Sequence, residues 1–300
     1  MKKILILASH RNENKEKFIT YLKKYFESKA EIFLETLSEV SIELREDSLE
    51  VFVGDYDIRN FDLVYFRSTG GYMARAKTLA LALNFLKIKY IDTVWGKASV
   101  MGDKLTSLAS LASKGFPVIP SLFTNLENKK KIDDFTLRMG FPIIAKELTS
   151  QRLEGVYVIS DLNDFKKLPE LKHTGKQASY LFQKFVDIES EYRLVVLGNR
   201  VSVTHTKVRR SYAKRKVQDL NKKDNIKFID SALMPSLNKI AIDSARALDL
   251  EIAGVDICVE KGSRKVWIVE VNRGPGIDYD SDFSPELYAF ADFLEKNISN

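Results

Sequence analysis

The chain has 300 residues, 45% hydrophobic and 29% charged; this is the composition of a soluble globular protein long enough to hold two packed units. Its formal net charge of +6 is uneven: residues 207–223 carry eight basic side chains against one acid, a net +7 that leaves −1 for everything else, unlike a uniformly basic nucleic-acid binder. A single cysteine, Cys258, excludes an intrachain disulfide, and no apolar stretch nears the ~20 residues that span a bilayer. The short apolar run 4–8 passes straight into His10-Arg11-Asn12-Glu13 rather than a cleavage signal, so a cytoplasmic protein with no membrane partner is expected.

In chain order, residues 3–9 form a short apolar run of the kind that makes a buried parallel strand. Residues 13–28 space Phe18, Ile19, Leu22, Tyr25 and Phe26 as a helix. Strands are predicted at 31–37 and 61–67, with a hairpin or edge excursion at 40–53 between them. A helix over 73–86 and a strand at 90–92 complete a β-α-β order, which argues for a doubly wound α/β unit. No G-x-G-x-x-G follows the first strand, so a dinucleotide site is not expected. Beyond residue 101 the spacing predicts helices at 104–114, 130–139, 161–168, 235–248 and 284–297. Gly115 with Pro117 stops the first of these, and Ser284 caps the last. Strands are predicted at 142–147, 156–159, 180–186, 252–259 and 266–271. Residues 193–197 and 201–205 flank Gly198-Asn199 as a hairpin.

The last two strands carry the strongest chemistry. Asp256 interrupts the apolar run 252–259, and Glu270 interrupts 266–271 with Asn272 two residues on. The strand period puts Glu270 and Asn272 on one face. A carboxylate in an apolar strand costs several kcal/mol unless it is paired or binds a metal. Two carboxylates and a carboxamide on neighbouring strands make an oxygen set suited to Mg²⁺. The plainer reading, an acid in solvent at a strand end, fits Asp256 poorly because it falls mid-run.

These residues, Ala253-Gly254-Val255-Asp256-Ile257 and then Val269-Glu270-Val271-Asn272-Arg273-Gly274-Pro275-Gly276, resemble the A-G-V-D-[IL] … E-V-N-x-x-P-G ending of ATP-grasp enzymes. Within that superfamily the sequence is similar to the RimK-like carboxylate–amine ligases of the glutamate ligase type. The resemblance runs upstream in order, through Asp103-Lys104-Leu105-Thr106-Ser107, Pro142-Ile143-Ile144-Ala145-Lys146, Leu181-Phe182-Gln183-Lys184-Phe185-Val186 and Glu191-Tyr192-Arg193. It implies an α/β (α+β) ATP-grasp fold, with a doubly wound, Rossmann-like domain over 1–95 and an ATP-grasp domain over 96–300. The latter divides into a lid subdomain at about 116–187 and a C-terminal subdomain at about 188–300.

The resemblance also implies ATP and Mg²⁺ as cofactors, with Mn²⁺ as an alternative metal. Lys104 and Lys146 would neutralise ATP phosphates. Gln183 would start the adenine hinge 183–186, where backbone groups of Lys184 and Val186 flank Phe185. Glu191, or Glu189 in its place, would take the ribose. Asp256, Glu270 and Asn272 would hold the metal. Arg193 would contact the transferred phosphoryl group, and the pair Arg209 and Arg210 would meet the substrate. The implied reaction joins a carboxylate to an amine through an acyl-phosphate.

Two departures stand out. The family's glycine-rich loop is replaced by Thr149-Ser150-Gln151-Arg152-Leu153-Glu154-Gly155, which costs backbone approach to phosphate and keeps a non-catalytic ATP-binding module as the alternative. The basic run with Lys214, Arg215 and Lys216 replaces a later glycine element and suggests an acidic peptide, protein tail or amino acid as substrate. Nucleic acid is disfavoured because Tyr212 is the segment's one aromatic. A homo-oligomer is compatible with the sequence. Residues 67–72, at the end of a strand, are a candidate for substrate contact, with an ordinary turn as the equal reading. The three histidines share no metal-ligand spacing.

Overall fold

The computed structural model describes residues 1–44, 49–97, 104–126, 128–147, 155–168, 179–207, 226–275 and 284–299. It opens with β1 (Lys2–Ala8), α1 (Glu13–Phe26) and β2 (Ala30–Thr36), followed by β3 (Val40–Leu44), β4 (Leu49–Val53) and β5 (Tyr56–Asp57). Then come β6 (Leu63–Phe66), α2 (Met73–Leu86) and β7 (Tyr90–Ile91). Four of these strands form a parallel sheet in the order β2-β1-β6-β7. β1 is buried on both faces: Ile4, Ile6 and Ala8 face α1, and Leu5 and Leu7 face α2. A continuous apolar run is what a doubly covered parallel strand requires. Asn12 starts α1 by accepting the amide of Lys15 at 3.0 Å, an N-cap that satisfies one of the helix's orphan donors. The excursion 40–53 is a hairpin extended by β5 into a three-stranded sheet.

The second half contains α3 (Lys104–Ser113), β8 (Ser121–Asn125), α4 (Lys129–Met139), β9 (Ile143–Glu147), β10 (Val156–Ile159) and β11 (Ser179–Lys184). It continues through β12 (Ile188–Leu197), β13 (Arg200–Lys207), β14 (Ile226–Ile229), α5 (Pro235–Ala247), β15 (Ile252–Glu260), β16 (Val266–Asn272) and α6 (Pro285–Ser299). An antiparallel sheet in the order β10-β9-β11-β8 buries Ile143, Ala145, Tyr180 and Phe182 against Ile132 and Phe135 of α4. Alternation then turns Ile144, Lys146, Leu181 and Gln183 to the opposite face.

A five-stranded antiparallel sheet follows in the order β14-β13-β12-β15-β16. Leu194, Val196, Val255 and Ile257 share a core with Leu237, Ala241 and Ala245 of α5. On the other face Val195, Leu197, Val203 and Ile252 pack with Leu287, Phe290, Ala291 and Leu294 of α6. Phe290 also meets Phe18 of α1 and Tyr65 of β6, with ring centroids 5.4 and 5.1 Å apart. That shared core fixes the N-terminal sheet against the five-stranded one.

Several elements differ from expectation, among them β5 and β14, which were not expected. The helix expected at 161–168 is one short 3₁₀ turn at Asp164–Lys167, because Asp161 and Asp164 spend their side chains on local backbone amides, which competes with helix. The strand expected at 180–186 stops at Lys184. β8 was not expected, since its apolar positions Leu122 and Phe123 are adjacent and polar residues flank them.

Candidate active site

The face of the five-stranded sheet that α6 covers changes character along its strands. Beyond Val195 and Val203 the same alternating positions become Arg193 and Glu191 on β12, His205 on β13, and Asp256 on β15. Register sets Arg193 opposite both His205 and Asp256, and Asp256 opposite Glu270. Asn272, paired with Gly254, falls on this face too. A bulge between Asp256 and Ile257 keeps Glu270 aligned while β16 shifts by one residue below it, a device that re-aims side chains near sites.

Asp256 is buried and takes a bidentate fork from Arg193, with Nε and Nη2 both at 2.7 Å from its two oxygens. The hydrogen bond to Asp256 raises the Arg193 pKa against the desolvation that lowers it, and the charges of Asp256, Glu270 and Glu191 add to the rise. One guanidinium therefore stands amid three carboxylates. Such planar forks are the strong, geometry-setting form of ion pair. Glu191 is buried, whereas Glu189 is exposed and engages Arg264; of the two ribose candidates, only Glu191 is buried on the site face. His205, also buried, places Nε2 2.8 Å from Glu286 Oε1 at the start of α6, and Ser284 Oγ donates to the other Glu286 oxygen at 2.7 Å.

Other residues singled out in the sequence lie on the four-stranded antiparallel sheet. Lys146 pairs across β9 and β11 with Leu181, on the face that also carries Gln183. Gln183 is buried; its Nε2 donates to Ser121 Oγ at 2.8 Å, and its Oε1 has no hydrogen-bond partner among the described residues. Leaving such an acceptor unmade costs about 1–3 kcal/mol. Lys184 donates its amide to the Pro120 carbonyl at 2.9 Å, while its Nζ pairs with Glu260 at 2.8 Å and lies over Trp267. Phe185 is half-buried in the loop that follows. Val186 joins Ile119, Cys258 and Trp267 in an apolar cluster where the two sheets meet. The cysteine is thus a buried core thiol.

A cavity of about 520 Å³ adjoins the acidic end, lined by Phe66 to Gly70 from the end of β6, Asp92 and Trp95 after β7, Ser107 of α3, and Glu270 to Gly274. Asp92 accepts the amides of Glu251 and Ile252 at 2.7 and 2.8 Å. Burial nevertheless pushes its pKa up to about 8. Arg273 lies over Trp95 with its guanidinium carbon 4.8 Å from the ring centre. Arg67 donates to the Pro275 carbonyl at 3.3 Å and lies over Phe18.

Of the residues singled out in the sequence, Arg193, Glu191, Asp256, Glu270 and Asn272 share one sheet face, and Lys146 and Gln183 share another. Lys104 is the first residue of α3; its side chain, the loop 149–154, and Arg209, Arg210 and Lys214 to Lys216 lie outside the described residues. Arg67, Asp92 and Arg273 were missed as a set because they converge from three distant segments. The signal at Arg67, a charged residue closing an apolar strand, was present but equally fitted a turn.

Among the described residues no three His, Cys, Asp or Glu side chains cluster for a metal. The set at the sheet end is two acids and a carboxamide, hard oxygen donors that fit Mg²⁺ with phosphate and water completing its shell. Asp256 would join that shell only by sharing or releasing the Arg193 fork.

Solved structures similar to this fold include ATP-grasp ligases. The ATP-grasp ligase PsnB, in complex with minimal precursor, Mg and ADP, matches with a TM-score of 0.72 at 16% identity, over 99% of this chain and 98% of that one. Residues 101–284 match the model of the RimK-like ATP-grasp domain, so the chain belongs to the RimK-like ATP-grasp family, which uses ATP and Mg²⁺. A probable alpha-L-glutamate ligase of Coxiella burnetii (strain Dugway 5J108-111) is 28% identical over 203 residues, 65% of this chain and 64% of that protein. One from Legionella pneumophila (strain Corby) is 25% identical over 189 residues, 59% of this chain and 56% of that protein. The matches thus span somewhat under two thirds of the length of these relatives. Among the described residues, no helix is long and apolar enough to cross a membrane.

Proposed function

We propose that the chain is an ATP-dependent, ADP-forming carboxylate–amine ligase that acts in the cytoplasm. The observation that carries this reading is the co-facial set Arg193, Asp256, Glu270 and Asn272, whose register presents two carboxylates and a carboxamide beside a forked arginine. Lys146 and Gln183 on the other sheet supply the opposing wall for a nucleotide. The Lys184 amide is spent on Pro120, so the adenine edge is met by the Val186 amide and the Lys184 carbonyl. Glu191 takes the ribose, and Lys104 and Lys146 the phosphates. We divide the chain at about residue 95 into an N-terminal α/β domain and the ATP-grasp domain.

In the reaction, a substrate carboxylate oxygen attacks the γ-phosphorus and the bond to ADP breaks. The amine nitrogen then attacks the acyl carbon, phosphate leaves, and the amine gives up a proton. Mg²⁺ held by Asp256, Glu270 and Asn272 would offset phosphate charge. Catalysis of this kind is mostly positioning and charge stabilisation. With Nε and Nη2 on Asp256, Arg193 has its Nη1 to offer the phosphoryl oxygens. The substrates are an acidic peptide, protein tail or amino acid, which Arg209 and Arg210 would engage. PsnB has been solved with precursor peptide PsnA2 and AMPPNP, which supports a peptide as one partner.

The test is Mg²⁺-dependent ADP and phosphate release by the full chain with pooled amino acids and a glutamate-rich peptide. Release that requires both an acid and an amine is expected. Bound ATP with no release for any pair would contradict turnover and favour a nucleotide-binding module.

A further inference from the structure

The last residues of two strands from different sheets meet where those sheets join. Lys184 ends β11 and Glu260 ends β15, and the two half-buried side chains form an ion pair at 2.8 Å. Glu260 is prepared for this contact by its own hairpin. Its Oε2 accepts Trp267 Nε1 at 3.2 Å and Ser263 Oγ at 3.0 Å, which leaves Oε1 for Lys184 Nζ. The hydrogen bond from Lys184 is the largest of the causes that hold the Glu260 carboxyl below the usual carboxylate range. Trp267 is buried, with Lys265 Nζ 4.2 Å and Lys184 Nζ 5.6 Å from its ring centre. A carboxylate already fixed by two donors loses little further freedom when it takes the lysine.

The same hairpin grips the residues that follow Lys184. Lys261 donates its amide to the Asp187 carbonyl at 2.7 Å, and Arg264 engages Glu189. Val186 belongs to the apolar cluster of Ile119, Cys258 and Trp267. The segment 184–189 is thus held along its length by the β15–β16 hairpin, which also carries Asp256 and Glu270. Alternation puts Asp256, Cys258 and Glu260 on one face of β15. A proposed metal ligand, a member of the Val186 cluster and the acceptor of Lys184 follow one another on that face. Asp256 and Glu260 are about 13 Å apart at the rise of a strand, so one rigid element spans from the metal set to the hinge.

We propose that Glu260, oriented by Trp267, is a positioning residue for the adenine end of the nucleotide. By holding Lys184 it fixes the Lys184 carbonyl and the Val186 amide relative to the strands that carry Asp256 and Glu270. The inference rests on the reading of 183–186 as the adenine hinge. Backbone groups in a connecting loop recognise a base tightly only when the loop is ordered beforehand, since ordering deferred to binding subtracts from affinity. The ion pair supplies that order from the neighbouring sheet.

Titration calorimetry on the full chain with Mg²⁺ tests this by comparing ATP with tripolyphosphate, which lacks the base and ribose. Glu260→Gln should weaken ATP about tenfold, as when the ordering of a loop is deferred to binding, and leave tripolyphosphate affinity unchanged. A variant that only loosened the fold would lose both. Lys184→Met should match Glu260→Gln, and the double variant should be no weaker than either, because the pair acts as a unit. Trp267→Phe, which keeps the ring and removes the Nε1 donor, should lie between the wild type and Glu260→Gln. In turnover, KM for ATP should rise in the same proportion while kcat holds. Equal loss of ATP and tripolyphosphate, undiminished ATP affinity in Glu260→Gln and Lys184→Met, additive losses in the double variant, or no ATP binding by the wild type would overturn the proposal. Failure of the ligase reading looks different: the ATP affinities follow this pattern, yet no acid–amine pair releases ADP.

Discussion

One face of the five-stranded sheet has two ends built on the same strands with opposite chemistry. At one end Val195, Leu197, Val203 and Ile252 lie under Phe290 and Leu294 of α6. At the other, the same alternating positions hold Glu191, Arg193, His205 and Asp256, with Glu270 across from Asp256. Backbone pairing runs through both, with bulges at Val195/Val196 and Asp256/Ile257. The difference lies in what occupies every second position: the apolar end supplies burial energy, and the polar end pays desolvation to hold charges at fixed spacing. A site made this way inherits its rigidity from the apolar half.

The comparison can be broken from either end. The largest effect on stability is expected from Phe290→Ala, which empties the joint between α6, α1 and β6 and should cost about 3–5 kcal/mol in urea unfolding, with ADP release per folded molecule retained. Arg193→Met should cost about 2–4 kcal/mol by leaving buried Asp256 uncompensated. Adding Asp256→Leu should restore most of that stability but no turnover. If the double variant is as unstable as the single one, the fork is not where the cost lies.

Asp92 joins the ends, since it holds the Ile252 amide at the apolar side and lines the cavity at the other. Its folded pKa of about 8 exceeds the unfolded value of about 3.9. The folded chain therefore keeps a proton that the unfolded chain releases, and this group's penalty grows as pH rises from about 4 to about 8. Asp92→Asn should remove that slope, at most about 1.4 kcal/mol per pH unit, so the variant's Tm falls less than the wild type's between pH 5 and 8. A smaller effect is expected from Ser284→Ala, about 1 kcal/mol, through loss of the hydroxyl that accepts the Leu287 amide and donates to Glu286.

The polar end was legible in the sequence because an acid inside an apolar strand breaks a strong pattern: Asp256 and Glu270 each interrupt a run of Val and Ile. His205 obeys the same rule with Val201 and Val203, yet a histidine at a strand end is common enough in solvent that the pattern alone did not separate it. The cavity was not legible. Arg67, Asp92 and Arg273 come together only through sheet order and the α6 joint, and single charged residues at strand ends carry no mark of convergence. Most strands of the two antiparallel sheets were legible as apolar runs, while β8, with its unpatterned apolar pair, and β14 were not.

The most direct test of the account is turnover and stability measured together for Glu270→Gln. Removing the charge while keeping size should cut Mg²⁺-dependent ADP release by on the order of 10²–10³-fold, as for loss of one preorganised electrostatic group. The Tm should change little, because glutamine keeps the size of a half-buried side chain. Wild-type release from Glu270→Gln would contradict the claim that the polar end of the sheet is the catalytic centre.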